Sequence, residues 1–129
     1  MKKEMVVCII IVALIIIVNI ITQNYTKECV GKMKEMLDNL KQVNLSDATN
    51  NKDISKQIEQ IDNKWNEYQG KLAYYIEHDE LEKVETQIFA INGLIEIKNF
   101  KETIPEIEKC VFILEHIEEK NMINIKNIF

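Results

Sequence analysis

The chain has 129 residues, one proline and three glycines, which suits long helices and disfavours a turn-rich β-sandwich. Its basic residues are all lysine, and from Gln23 onward 14 lysines face 20 carboxylates, a net charge of −6. That sign excludes a duplex-binding surface, which needs clustered basic residues, and anionic lipid headgroups repel it apart from local lysines.

The first element is the run Met5–Thr22, MVVCIIIVALIIIVNIIT, which holds no charged residue. As a helix it is about 27 Å long, close to the roughly 30 Å hydrocarbon core of a bilayer. The apolar run is longer than a signal peptide's, and it leads into ITQNYTKE with no small-x-small cleavage pattern. Cys8 stands near the start of the run rather than its end, which argues against a lipoprotein. The sequence therefore predicts an uncleaved anchor over 5–22, a short tail over 1–4 and one small domain over 23–129. Lys2 and Lys3 precede the run, whereas Lys27, Lys32 and Lys34 are mixed with Glu28 and Glu35. A four-residue basic tail favours the N-terminus inside the cell and the domain outside. So short a tail leaves no room for a cytoplasmic effector, which weakens a receptor reading. Asn19 is the one strongly polar residue of the run; it can face headgroups or bond to a second membrane helix.

Beyond the anchor the pattern is helical throughout. Cys29, Met33, Met36, Leu40 and Val43 are spaced 4, 3, 4, 3 and predict a helix over 25–43. Nothing between Thr22 and Tyr25 must break a helix, so the anchor can continue into it. NLSDATNNKD, residues 44–53, reads as a loop, with Asp53 capping the next helix. That helix carries the seam Ile54, Ile58, Ile61, Trp65, Tyr68, Leu72 and Tyr75. The rhythm fails at Glu77-His78-Asp79-Glu80 and restarts out of phase at Leu81, Val84, Ile88, Ile91 and Ile95. A structural corner is predicted at His78 and Asp79, with Asp79 and Glu82 as a capping box; one long kinked helix is the alternative. Lys98 and Asn99 can close the third helix. Thr103, Pro105 and Glu106 mark the start of a fourth, with Ile104, Ile107, Cys110, Val111, Leu114 and Ile117 on one side. The final NMINIKNIF is apolar enough to pack back on the domain or touch the bilayer. The expected fold is all-α: a transmembrane helix followed by an antiparallel, up-down-up-down bundle of three to four helices, the second being the longest.

Three stretches carry a resemblance: the hydrophobic anchor, IDNKWNEYQGKLAYYIEHDELEKVETQI over 61–88, and EHIEEKNMINIKNIF over 115–129. Together they resemble an uncharacterised family of small single-span proteins of Gram-positive, often spore-forming, bacteria, known as a domain of unknown function. The resemblance implies membrane attachment and a helical domain, and it implies no activity and no catalytic residues.

The sequence offers few residues in a chemically active arrangement. A di-iron carboxylate bundle needs Glu-x-x-His, but Tyr75 precedes His78 by three and Ile113 precedes His116 by three. His78 with Glu82, and His116 with Glu119, are pairs that arise by chance in Glu-rich helices. Gly31, Gly70 and Gly93 are isolated, so there is no phosphate loop, and no Cys-x-x-Cys-His is present. No catalytic, metal or cofactor-binding residue is assigned, and a non-enzymatic protein is expected. Cys29 and Cys110 are a candidate disulfide, but the predicted bundle separates them by roughly 9 Å in height, and two buried thiols fit better. Trp65, Tyr68, Tyr74 and Tyr75 concentrate the aromatic area. Core packing with one exposed tyrosine explains them; the sharper reading makes Trp65 and Tyr68 a partner contact. Three functions follow: an accessory protein of the cell envelope that binds another membrane or envelope protein or itself, an extracytoplasmic small-molecule or metal binding module, or a self-assembling structural protein.

Overall fold

The computed structural model describes residues 2–46 and 51–128, with side chains placed for 2–43 and 53–122. It contains four helices: α1 (Lys2–Ser46), α2 (Asn51–Leu72), α3 (His78–Glu96) and α4 (Phe100–Ile128), and no strand among the described residues. Each helix packs against two others, α1 on α2 and α4, and α3 on α2 and α4. The result is a square antiparallel bundle, as the alternating apolar seams predict.

The apolar run does continue into the first bundle helix. α1 is one helix of 45 residues, of which the lower part is bare and the upper part is core. Its buried stripe is wider than the predicted seam. Val30 and Leu37 are buried with Cys29, Met33 and Leu40, while Met36 and Val43 are only partly covered. The cause is geometric: a helix with two flanking neighbours buries a broader stripe than a two-helix seam does. The core of α2 is Ile54, Ile58, Ile61, Trp65, Tyr68 and Leu72, and that of α3 is Leu81, Val84, Ile88, Ile91 and Ile95. α4 adds Ile107, Cys110, Leu114 and Ile117.

The helix ends differ from the expected ones. α2 begins at Asn51, so Asp53 sits inside its first turn rather than capping it. Of the predicted loop over 44–53, residues 44–46 close α1 and 51–53 open α2, while 47–50 lie outside the described residues. α2 stops at Leu72, so the corner occupies 73–77, ahead of His78 and Asp79. There the backbone tightens, with Tyr74 N–H on Lys71 O at 3.2 Å and Tyr75 N–H on Leu72 O at 3.1 Å. His78 and Asp79 begin α3, and no side chain caps that helix. α2 is 22 residues and α4 is 29, so the second bundle helix is not the longest.

The α3–α4 corner is two caps sharing one residue. Lys98 has φ 60°, the left-handed conformation, with Lys98 N–H on Ile95 O at 3.0 Å and Asn99 N–H on Leu94 O at 2.9 Å. This is a Schellman closure with lysine where glycine is usual. Asn99 then caps α4, accepting from Glu102 N–H at 3.4 Å. The helix therefore starts three residues before Thr103, whose buried hydroxyl donates to Asn99 O at 2.8 Å. Pro105 falls inside α4, where it removes the donor to the Lys101 carbonyl; both residues are exposed, so water can serve that group. α4 runs to Ile128, which makes the predicted tail helical in its backbone; its side chains beyond Met122 lie outside the described residues.

Candidate functional site

The strongest concentration of polar groups inside the bundle lies at its lower end, where the α2–α3 corner and the end of α4 close around α1. Thr26 is 1 % exposed, and its hydroxyl is 2.8 Å from Thr22 O and 2.7 Å from the Tyr75 hydroxyl. The Tyr75 hydroxyl is also 3.1 Å from Thr22 O, and Asn121 Nδ2 donates to Thr26 Oγ1 at 3.3 Å. Each hydroxyl has one proton. Thr26 donating to Thr22 O while accepting from Tyr75 and Asn121 leaves the knot satisfied. Burial raises the Tyr75 phenol above the usual tyrosine range. The period-3.5 pattern placed Tyr75 on the α2 seam; the tightened turn instead swings it onto α1.

Beside this knot lies Glu80, 7 % exposed. Its Oε1 accepts from Lys120 Nζ at 3.2 Å and Lys83 Nζ at 3.4 Å. Burial by itself would raise the Glu80 carboxyl, but the bonds and charges of Lys120 and Lys83 outweigh it and hold it below the usual glutamate range. Its Oε2 is shut off from solvent and has no hydrogen-bond partner. Lys120 also approaches Glu77 Oε2 at 3.7 Å, and its ammonium is raised by the bond to Glu80 first, then by the charges of Glu77 and Glu80. Tyr75, Glu77, Glu80, Lys120 and Asn121 line a cavity of about 120 Å³, closed on its apolar side by Ile76 and Ile117. Sequence reasoning singled out neither Glu80 nor Lys120. The visible signal was Glu80 one position before the restarted seam at Leu81, where a charge sits next to a core position.

The residues that the sequence did single out lie elsewhere. Trp65 is 1 % exposed and Tyr68 8 %, both inside the core. The Tyr68 ring meets Tyr25 edge-on at 6.3 Å, and Lys64 lies 5.1 Å over it. Tyr74 is the fully exposed tyrosine of the group. Trp65 Nε1 is buried without a partner among the described residues. His78 Nε2 pairs with Glu82 Oε1 at 3.0 Å on the surface of α3. No group of three or more His, Cys, Asp or Glu able to hold a metal occurs among the described residues. Cys29 and Cys110 are both buried free thiols. Lys34 pairs with Glu115 and Lys41 with Glu108 across α1 and α4. That register sets Cys110 level with about residue 39, roughly ten residues or 15 Å from Cys29, too far for a disulfide. Burial pushes the Cys29 thiol up to about 11 and the Cys110 thiol up to about 12. In the anchor, Thr22 Oγ1 donates to Asn19 O at 3.1 Å, and Asn19 Nδ2 is buried without a partner among the described residues.

A sequence family described as a domain of unknown function, DUF4363, matches residues 20–128. The chain belongs to this family. The match takes in the whole bundle and starts in the last turn of the apolar run, so most of the anchor lies outside it. No curated protein and no solved structure matches the chain.

Proposed function

We propose that this is a membrane-anchored, non-enzymatic accessory protein of the bacterial cell envelope, whose bundle binds another envelope protein or a second copy of itself. The observation that carries the reading is α1. It is the one described helix long and apolar enough to cross a membrane, and none of its most apolar stretch is covered by the rest of the protein. The same helix then supplies one wall of the bundle core. A leader that is cut away has no need to run without a break into the fold it delivers. The anchor is retained, spans the bilayer once with the N-terminus inside, and holds the bundle on the outer face, as a single-span protein of a Gram-positive cell would.

Binding rather than catalysis suits the exposed aromatic residues. Phe89 is 78 % exposed beside a groove between α2 and α3 whose charged residues, Glu59, Asp62, Glu85 and Glu96, are all acidic. Phe112 is 69 % exposed on α4. Gentle detergent extraction of the tagged full chain, followed by native gel separation, tests the reading. A complex larger than the monomer, with a stoichiometric second band or a multiple of the chain, is expected. Recovery of the bare monomer alone contradicts it.

A further inference from the structure

We propose that the cavity under the α2–α3 corner binds the headgroup of a phospholipid that carries a primary ammonium beside its phosphate. The inference rests on the membrane-anchor reading, because depth is its first argument. The Tyr75 hydroxyl at the cavity wall lies 3.1 Å from the carbonyl of Thr22, the last residue of the apolar run. Thr26, the other side of the knot, is one helical turn higher, about 6 Å. The polar layer of a bilayer adds roughly 5–7 Å to each side of the hydrocarbon. By the α1–α4 register the Lys120 backbone is level with about residue 29, roughly 10 Å above Thr22, so the cavity spans the headgroup layer from Tyr75 up to its outer edge.

The walls carry both signs. Lys120 contacts Glu80 at 3.2 Å and Glu77 at 3.7 Å along the cavity wall, and Lys83 adds a second cation to Glu80. A site with both signs fits a zwitterion, with its ammonium on the carboxylates and its phosphate on Lys120. A cavity of about 120 Å³ has room for such a group or for several waters.

Glu80 supplies an unmet acceptor. Its side chain is only 10 % exposed, both lysines are on Oε1, and Oε2 has no donor among the described residues. A shielded carboxylate oxygen without a donor is costly, and the last torsion of a glutamate is soft enough to turn that oxygen to an incoming N–H. A primary ammonium brings three donors. A trimethylammonium headgroup brings none, so the site discriminates ethanolamine from choline lipids on hydrogen bonding alone.

The test uses the full chain in nanodiscs of phosphatidylcholine with and without phosphatidylethanolamine, melted by circular dichroism. Phosphatidylethanolamine raises the melting midpoint by about 6 °C if it stands at roughly ten times its dissociation constant. Glu80→Gln abolishes the rise. Glu77→Gln, whose side chain is 73 % exposed and caps no helix, diminishes it and keeps the test valid should Glu80→Gln fail to fold. Equal midpoints in both discs, with the protein co-eluting with them, overturn the headgroup site and leave the anchor standing. An equal rise from soluble phosphoethanolamine in phosphatidylcholine discs moves the ligand out of the membrane and overturns the lipid assignment. Failure of the chain to enter discs at all overturns both.

Discussion

Lys98 and Tyr75 each hold a corner, and they do so at opposite ends of the bundle by opposite means. Lys98 adopts φ 60° because the Schellman closure of α3 requires a left-handed residue there, and a side chain with a Cβ is strained in it. Lys98→Gly therefore stabilises the bundle by about 0.5–1 kcal/mol in urea unfolding, the gain being reduced by glycine's greater freedom when unfolded. Tyr75 holds the lower corner by its hydroxyl, 2.7 Å from that of Thr26. Tyr75→Phe leaves the ring and removes the bond, so the same measurement reads a loss of about 1 kcal/mol. The thiols carry a different signature. With Cys29 and Cys110 pushed up to about 11 and 12 by burial, both stay protonated and unreactive in the fold at neutral pH. A thiol reagent added to the bundle at pH 8 labels neither until denaturant is present.

At the scale of the helix, periodicity reports which residues are inside more faithfully than where a helix stops. The seams of α2 and α3 were readable because Ile54 to Leu72 and Leu81 to Ile95 keep a strict spacing, and these residues are buried in the structure. The ends were not readable, for physical reasons. Tyr75 continues the α2 spacing, so pattern alone extends the helix; in the structure the chain turns after Leu72 and the Tyr75 hydroxyl meets Thr26, about fifty residues earlier. Asn99 serves as the end of one cap and the start of another, which no single-cap signature shows, and Thr103 with Pro105 offers a more conventional start that the chain bypasses. The Glu80 site was hidden for a similar reason: its partner Lys120 is on another helix, and register across helices is absent from local sequence. Helix interiors also hold a reserve of stability. Gly70 and Gly93 are helical, and an added Cβ meets nothing within 4 Å. Gly70→Ala and Gly93→Ala each raise the unfolding free energy by about 0.5–1 kcal/mol, measurable as a higher urea midpoint.

The whole molecule is a long apolar helix and a bundle that share α1, and its response to pH follows from what the bundle buries. The Cys29, Cys110, Tyr68 and Tyr75 groups are all raised by burial first. A group raised in the fold ionises earlier in the unfolded chain, so the stability it contributes is present below its unfolded value and lost above it. The ordinary thiol value is 9.0, and the bundle accordingly weakens as pH rises beyond about 9. Glu80 works in the other direction. Its carboxyl is lowered, so its contribution is present above the ordinary glutamate value of 4.5 and lost as pH falls through the lowered one. Urea midpoints across pH 3–11 should form a plateau near neutrality, and Glu80→Gln should flatten its acid edge. Whether α1 is retained as both anchor and scaffold is read from the mass of the chain in carbonate-washed cell membranes. The uncut 15.2 kDa chain is expected in the washed membrane fraction. A shorter chain that has lost the apolar run, or an uncut chain recovered in the wash, would contradict it.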